Sequence, residues 1–248
     1  MLSSRSKRRE LCTRGLLCFL SLASVIWSAA TLPAFWSIMP AKETVARLLA
    51  EDRFKSEALG EILARMPSDS KAVFPRTDRQ RAEALIRHRI LEGRVGSGDV
   101  TEDRHLRAAL TSNPGDSYLW LVLYSVDTIH AGFDSRTVRY LEQSYLAGPL
   151  EGWIALRRSR LALATFAALD PLGQHHVEVE FAHMVDSDFA EEAAITLRSV
   201  GWEQRDRLLA SLEDIGVIPR EAFAKVLARD GVKATVPGVV LDERVWRW

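Results

Sequence analysis

His176, Glu180 and His183 stand at i, i+4 and i+7, within roughly 60° of one face of a helix. Two imidazoles and a carboxylate on one face can address a divalent metal. The spacing is not the H-E-x-x-H of a metalloprotease. Val177, Phe181 and Met184 fill the adjacent apolar sector, so the stripe reads first as a solvated face. The alternative is an exported metal-binding bundle or enzyme using these three residues. Glu180-x2-His183 also has the carboxylate–histidine spacing of di-iron bundles, and Glu102-x2-His105 repeats it. Glu102 and His105, however, lie among Asp103, Arg104 and Arg107 in a polar first turn.

Arg157 is the odd charge. Counted around a helix, it falls on the side of Leu150, Trp153, Ile154, Leu161 and Ala164, and a buried guanidinium needs a carboxylate or carbonyl partner. Arg157 is therefore expected to be a structural buried charge paired with Asp127, Glu142 or Glu180. An anion pocket shared with Arg158 or Arg160 is less favoured, because the three arginines spread over roughly 160° of the helix. Trp246-Arg247-Trp248 ends the chain, either as a docking tail or as a segment folded back over a hydrophobic groove. Both cysteines, Cys12 and Cys18, precede the body, which leaves it without a disulfide framework, zinc knuckle or Cys nucleophile. No nucleophile elbow or glycine-rich phosphate loop occurs. The expectation is a non-enzyme with no catalytic residue and no cofactor.

These residues must be positioned by a chain of 248 residues that is 47% hydrophobic and 27% charged, with 14 Gly and 9 Pro, a composition of a globular protein. Lys plus Arg and Asp plus Glu are 33 each. Residues 1–14 hold five basic groups and one acid, so the rest is mildly acidic, with 28 basic against 32 acidic groups. Nucleic acid is not an expected partner, since phosphate neutralisation needs clustered cations. Only six of the basic residues are lysine, an arginine bias that suggests a GC-rich bacterial genome.

Gly15 to Ala41 are 27 residues without a formal charge, and roughly 20 helical residues cross a bilayer core of about 30 Å. Residues 15–39 are expected to be a transmembrane signal-anchor in contact with membrane lipid. Residues 1–14 form its basic cytoplasmic tail, because basic flanks stay inside. Ser28-Ala29-Ala30 offers the competing reading, a signal peptide cleaved after Ala30. Apolarity running on to Met39, with Trp36 in an interfacial place, favours the anchor. Pro33 suits a helix that ends or kinks at the outer interface.

The body, 43–230, reads as all-α. Helices are predicted over 43–65, stopped by Met66-Pro67-Ser68; 78–92, with Thr77 and Gln80 as a capping box and Gly93 to Gly98 as the break; and from Thr101 through Leu110. Asn113-Pro114-Gly115-Asp116 is a turn before a fourth helix ending by Gly132. Asp134 or Ser135 caps the next. A helix over 149–169, apolar nearly all round, is expected to be central. Further helices follow over 171–185, 188–200, 203–214 and 219–229. The tail, 231–248, can be extended.

Leu59-x2-Ile62-x4-Pro67, Leu106-x2-Ala109-x4-Pro114 and Leu141-x2-Ser144-x4-Pro149 share one spacing, and the last two prolines are 35 residues apart, against a tetratricopeptide period of 34. Trp120-x2-Leu123 is similar to that family's opening W-x2-L, although its glycine and second aromatic are absent nearby. Over residues 100–169 the chain thus resembles a tetratricopeptide-like (TPR-like) helical repeat; a plain helical bundle is the other reading. The resemblance implies a surface that binds another protein. The expected whole is a single-pass protein of a bacterial inner membrane with a periplasmic body. It would act on an envelope protein partner as a scaffold or accessory in secretion or polysaccharide export.

Overall fold

The computed structural model describes residues 2–50, 52–66, 76–92 and 100–240, apart from the side chains of 2–13, 34, 35, 37, 76 and 100–103. Every regular element among the described residues is a helix. The chain divides into two compact units, Met1–Ser112 and Asn113–Trp248.

The first unit starts with one long helix, α1 (Leu2–Leu49). Its stretch Arg14–Pro33 is long and apolar enough to cross a membrane, and none of it is buried. Pro33 neither ends the helix nor separates an anchor from a body helix, for α1 runs through both Pro33 and Pro40. Past the apolar stretch, Ile38, Ala41, Thr44 and Val45 are buried, and Thr44 donates from Oγ1 to the Pro40 carbonyl, 2.7 Å. The helix expected over 43–65 is therefore two elements, the end of α1 and α2 (Ser56–Arg65). The break has no glycine or proline to announce it. A side-chain clasp marks it instead: Arg47 Nε donates to Asp52 Oδ2 at 2.8 Å, and the Arg47 guanidinium lies 4.8 Å from the Phe54 ring centroid. Helices α3 (Arg76–Glu92) and α4 (Val100–Ser112) follow. They pack as an antiparallel pair, with Ser112 hydrogen-bonded to Gln80 and His105 beside Glu83. The breaks expected at Pro67-Ser68 and Gly93 to Gly98 lie outside the described residues.

In the second unit aspartates start three of the helices, Asp134 among them as the sequence suggests. The Asp116 carboxylate accepts from Leu119 N at 3.1 Å and starts α5 (Ser117–Ala131). Asp134 and Thr137 form a reciprocal capping box for α6 (Ser135–Ala147). Asp170 caps α8 (Pro171–Asp186), with Pro171 in its first turn, where a missing N–H does no harm. Between them the helix expected over 149–169 is shorter: α7 spans Gly152–Ala164 and a 3₁₀ turn covers Phe166–Ala168. α9 (Ala190–Arg198), α10 (Arg205–Ala210) and α11 (Val217–Arg229) complete the unit.

Helices α5 and α6 pack together as a hairpin, as do α7 and α8; in addition α5 touches α7, α6 touches α8, and α7 touches α9. Leu119, Leu141, Ile154 and Leu197 are fully buried in this stack. Phe181 and Phe223 meet edge to face at 5.9 Å, the geometry that aromatic quadrupoles favour. After α11, Gly231 takes a φ of 72°, a left-handed turn that suits glycine. The chain then folds back non-helically: Val236 is buried, Val232, Ala234 and Val239 pack on the core, and Arg220 Nη1 donates to the Pro237 carbonyl at 2.8 Å. Trp246, Arg247 and Trp248 lie outside the described residues.

Candidate functional site

The inward face of α7 carries Ile154, Ala155, Arg158, Ser159, Ala162 and Leu163. Arg158, not Arg157, is thus the buried guanidinium, with no exposed surface. The reversal follows from the start of the helix. Leu150, counted above as an inward residue, stands outside α7 with a positive φ of 61°. The true inward stripe therefore passes one residue beyond Arg157. Trp153 and Arg157 lie half-buried on the flank: the Trp153 and Tyr118 rings are 5.0 Å apart, the Arg157 guanidinium sits 6.0 Å from the Tyr118 centroid, and Arg157 Nη1 donates to the Trp153 carbonyl at 3.0 Å. Glu180, one of the three acids expected to pair with Arg157, pairs with Arg158 instead.

Arg158 ties four helical elements together. Its Nε donates to Glu180 Oε2 at 3.0 Å, and its Nη2 forms an ion pair with the same oxygen. Nη1 donates to the Ser144 carbonyl at 2.7 Å and to Ser117 Oγ at 3.1 Å, and both Nη atoms reach the Gly148 carbonyl at 3.2 Å. Ser117 and Ser144 exchange bonds across α5 and α6: each hydroxyl donates to the other's carbonyl, at 2.8 and 2.9 Å. Tyr145 caps the arrangement. Its hydroxyl donates to Glu180 Oε1 at 3.0 Å, and its ring centroid lies 4.0 Å from the guanidinium carbon. Burial first, and then the Glu180 charge, pushes the Tyr145 hydroxyl well above its usual range, so it stays a donor. A guanidinium taken out of water demands this number of acceptors.

Local sequence explains the geometry. Ser144, singled out as the small residue three positions after Leu141, lets α6 approach α5 and also accepts from the arginine. At Gly148, a Cβ would stand 2.7 Å from Ser117 Cβ and 2.2 Å from Glu151 Oε1, so glycine permits the close approach that turns its carbonyl toward Arg158. The pairing Ser117–Ser144 across 27 residues had no counterpart in the spacing analysis.

The proposed metal triad does not assemble. Glu180 is buried and its oxygens are taken by Arg158 and Tyr145; the expectation that it lies on a solvated face is wrong as well. His176 is half-buried, its ring stacked on Tyr145 at 5.8 Å. His183 is exposed and lines an open groove of about 500 Å³ between α8 and α10, with His175, Glu178, Arg207 and Asp214 among its other walls. There Arg207 Nε donates to Glu178 Oε1 at 2.7 Å. Among the described residues, no three His, Cys, Asp or Glu side chains are grouped to hold a metal ion. His105 Nδ1 lies 3.6 Å from Glu83 Oε1, and desolvation, followed by the Arg87 charge, lowers its pKa; the Glu102 side chain is outside those described. His88 Nε2 pairs with Glu92 Oε1 at 3.2 Å, and this hydrogen bond is the largest cause holding the Glu92 carboxyl down at about 2.

The buried polar cluster is thus a structural clamp whose charges are saturated by protein groups, and the chemistry available to solvent lies in the α8–α10 groove and on the helix faces. Comparison with known proteins adds no relative: no family model, no curated protein and no solved structure matches the chain.

Proposed function

We propose that the chain is a membrane-anchored helical scaffold of a bacterial envelope, N-terminus cytoplasmic and body periplasmic, that acts through protein contacts and not through catalysis. The observation that carries the reading is the fully exposed apolar stretch Arg14–Pro33 at the head of α1. Among the described residues nothing buries this apolar stretch, and a bilayer is the solvent that suits it. The five basic residues within 1–14, ahead of the stretch, favour export of the body.

For the body, the reading draws on the way hairpins α5–α6 and α7–α8 stack with like helix on like, α5 on α7 and α6 on α8. That pattern fits a TPR-like array, in which each pair buries its inner face against the next and leaves an outer face for a partner. The fold analogy does not by itself fix function. A role as an accessory of a secretion or polysaccharide-export assembly belongs to this proposal. Exposed Ile129 and Phe133, at the end of α5 and in its link to α6, are the apolar contacts we assign to the partner. The test is crosslinking in native membranes from photoreactive residues at these two positions, followed by identification of the products. A defined envelope neighbour crosslinked from position 133 that disappears in Ile129→Asp supports the scaffold. A body that crosslinks to nothing while folded and membrane-bound refutes it.

A further inference from the structure

The open groove between α8 and α10 is walled by two helical faces of the same spacing. On α8 its residues are 175, 178, 179, 182 and 183; on α10 and the turns that follow they are 207, 210, 211, 214 and 215. Each set runs i, i+3, i+4, i+7, i+8, the stripe that a helix presents to one side. The floor is carbon: Ala182 is buried, and Val179 and Ile215 are half-buried. The volume of about 500 Å³ falls within the ~300–1,000 Å³ of pockets that enclose a drug-sized ligand. It admits a short run of residues.

Formal charge selects the ligand. Arg207 is already spent: beyond its bond to Glu178, Nη1 donates to Gln174 Oε1 at 2.8 Å, and the guanidinium sits 4.8 Å from the Phe166 ring centroid. Glu178 cancels that cation. On the α10 side Asp214 is exposed and has no ion pair or hydrogen bond among the described residues. With His175 and His183 counted neutral, the lining carries one cation, Arg207, against two anions, Glu178 and Asp214, which disfavours an anionic ligand. It does not gather three metal ligands. A polyamine matches poorly as well, because a single open carboxylate meets only one of its charges. One ammonium or guanidinium on a carbon stem does fit, since Lys and Arg side chains lay their methylenes along apolar surface and keep the head at a polar rim. Residues 15–248, with 28 basic and 32 acidic groups, carry charge of the same sign and draw cationic partners to the body.

We propose that the α8–α10 groove docks a basic segment of a partner protein, with one arginine or lysine side chain laid over Val179, Ala182 and Ile215 and its charged head at Asp214. This rests on the reading above that the body acts through protein contacts, and it adds a site apart from Ile129 and Phe133.

The test uses the full chain in phosphatidylcholine nanodiscs and fluorescence anisotropy. The probes are fluorescein-labelled hexapeptide pools that hold one arginine among alanine, valine and leucine; matched pools hold citrulline, its uncharged isostere, or glutamate. The groove predicts saturable binding of the arginine pool, weaker binding of the citrulline pool and none of the glutamate pool. Asp214→Asn should weaken the arginine pool about twofold to fivefold, the range of an exposed ion pair, and leave the citrulline pool unchanged. Glu213→Gln removes the same charge from the next residue, which lines a separate hollow between α10 and the tail after α11, and should leave both pools unchanged. Both positions are exposed, so the changes spare the fold. Equal binding of the arginine and citrulline pools, equal loss in the two variants, or no saturable binding overturns the proposal. Spermidine bound more tightly than the arginine pool, through Asp214, overturns it in favour of a small polycation. A chain that ignores every pool yet still crosslinks a neighbour from position 133 loses the groove site and keeps the scaffold.

Discussion

Truncating Glu180 tests whether the Arg158 cluster holds the second unit together. The Arg158 side chain has no exposed surface and that of Glu180 is 2% exposed, so Glu180→Leu strands a cation that cannot neutralise itself by losing a proton. Breaking one side of a buried pair destabilises by about 3–5 kcal/mol. At about 2–4 °C per kcal/mol for a chain of this size, the melting temperature should fall by about 6–20 °C. The paired change Arg158→Met with Glu180→Leu removes the uncompensated charge. It leaves the Gly148 carbonyl and the Tyr145 hydroxyl without their partners, at about 1 kcal/mol each, while the Ser144 carbonyl keeps the Ser117 hydroxyl, so the double variant should melt between Glu180→Leu and the parent. Circular dichroism melts of the four proteins in one detergent complete the cycle. Additive losses, with the double variant melting below either single one, would show that the two charges do not depend on each other and refute the clamp.

Gly148→Ala should cost about 1–3 kcal/mol by overpacking against Ser117, because the new methyl meets Cβ at 2.7 Å; an unchanged urea midpoint would contradict the close approach. Leu150, at a φ of 61° and 42% exposed, is in a left-handed conformation that costs an L-residue about 1–2 kcal/mol. Leu150→Gly should thus stabilise by up to about 1 kcal/mol after the added chain entropy, whereas Leu150→Val should destabilise, and equal melts for both would remove the strain argument. Glu92 titrates from a usual 4.5 down to about 2 in the fold. A lowered folded pKa gives stability that is present above pH 4.5 and lost as pH falls through about 2. Glu92→Gln should accordingly flatten the stability profile between those values, measured by urea unfolding at stepped pH, with its loss full above about pH 4.5 and vanishing below about 2.

The helical class was legible because apolar periodicity and acidic caps are local signals. Asp134 starts the helix its spacing suggests, and the uncharged run from Gly15 is visible as a candidate span without any structure. What failed depended on register or on distance in sequence. Arg157 and Arg158 differ by one step, roughly 100° of helix, and choosing between them required knowing that α7 begins at Gly152 and not at Pro149. The division of α1 from α2 is marked by Arg47 reaching Asp52 and Phe54, a local side-chain clasp with no glycine or proline to announce it. Glu180 reads as solvated because Val177, Phe181 and Met184 fill the apolar sector beside it, yet the partner that buries it comes 22 residues earlier. Carboxylate and imidazole spacing on one helix says which groups share a face; it does not say whether another helix already uses one of them.

The central claim, an exported body tethered by α1, is tested most directly by thiol labelling of intact cells whose outer membrane alone is permeable. The chain carries Cys12→Ser and Cys18→Ser together with a single new thiol at position 4 or 218; Ile218 is 77% exposed. The account predicts that a membrane-impermeant maleimide modifies Ile218→Cys at once and modifies Ser4→Cys only after the inner membrane is opened. Labelling of position 4 in intact cells, or of position 218 only after lysis, would contradict it.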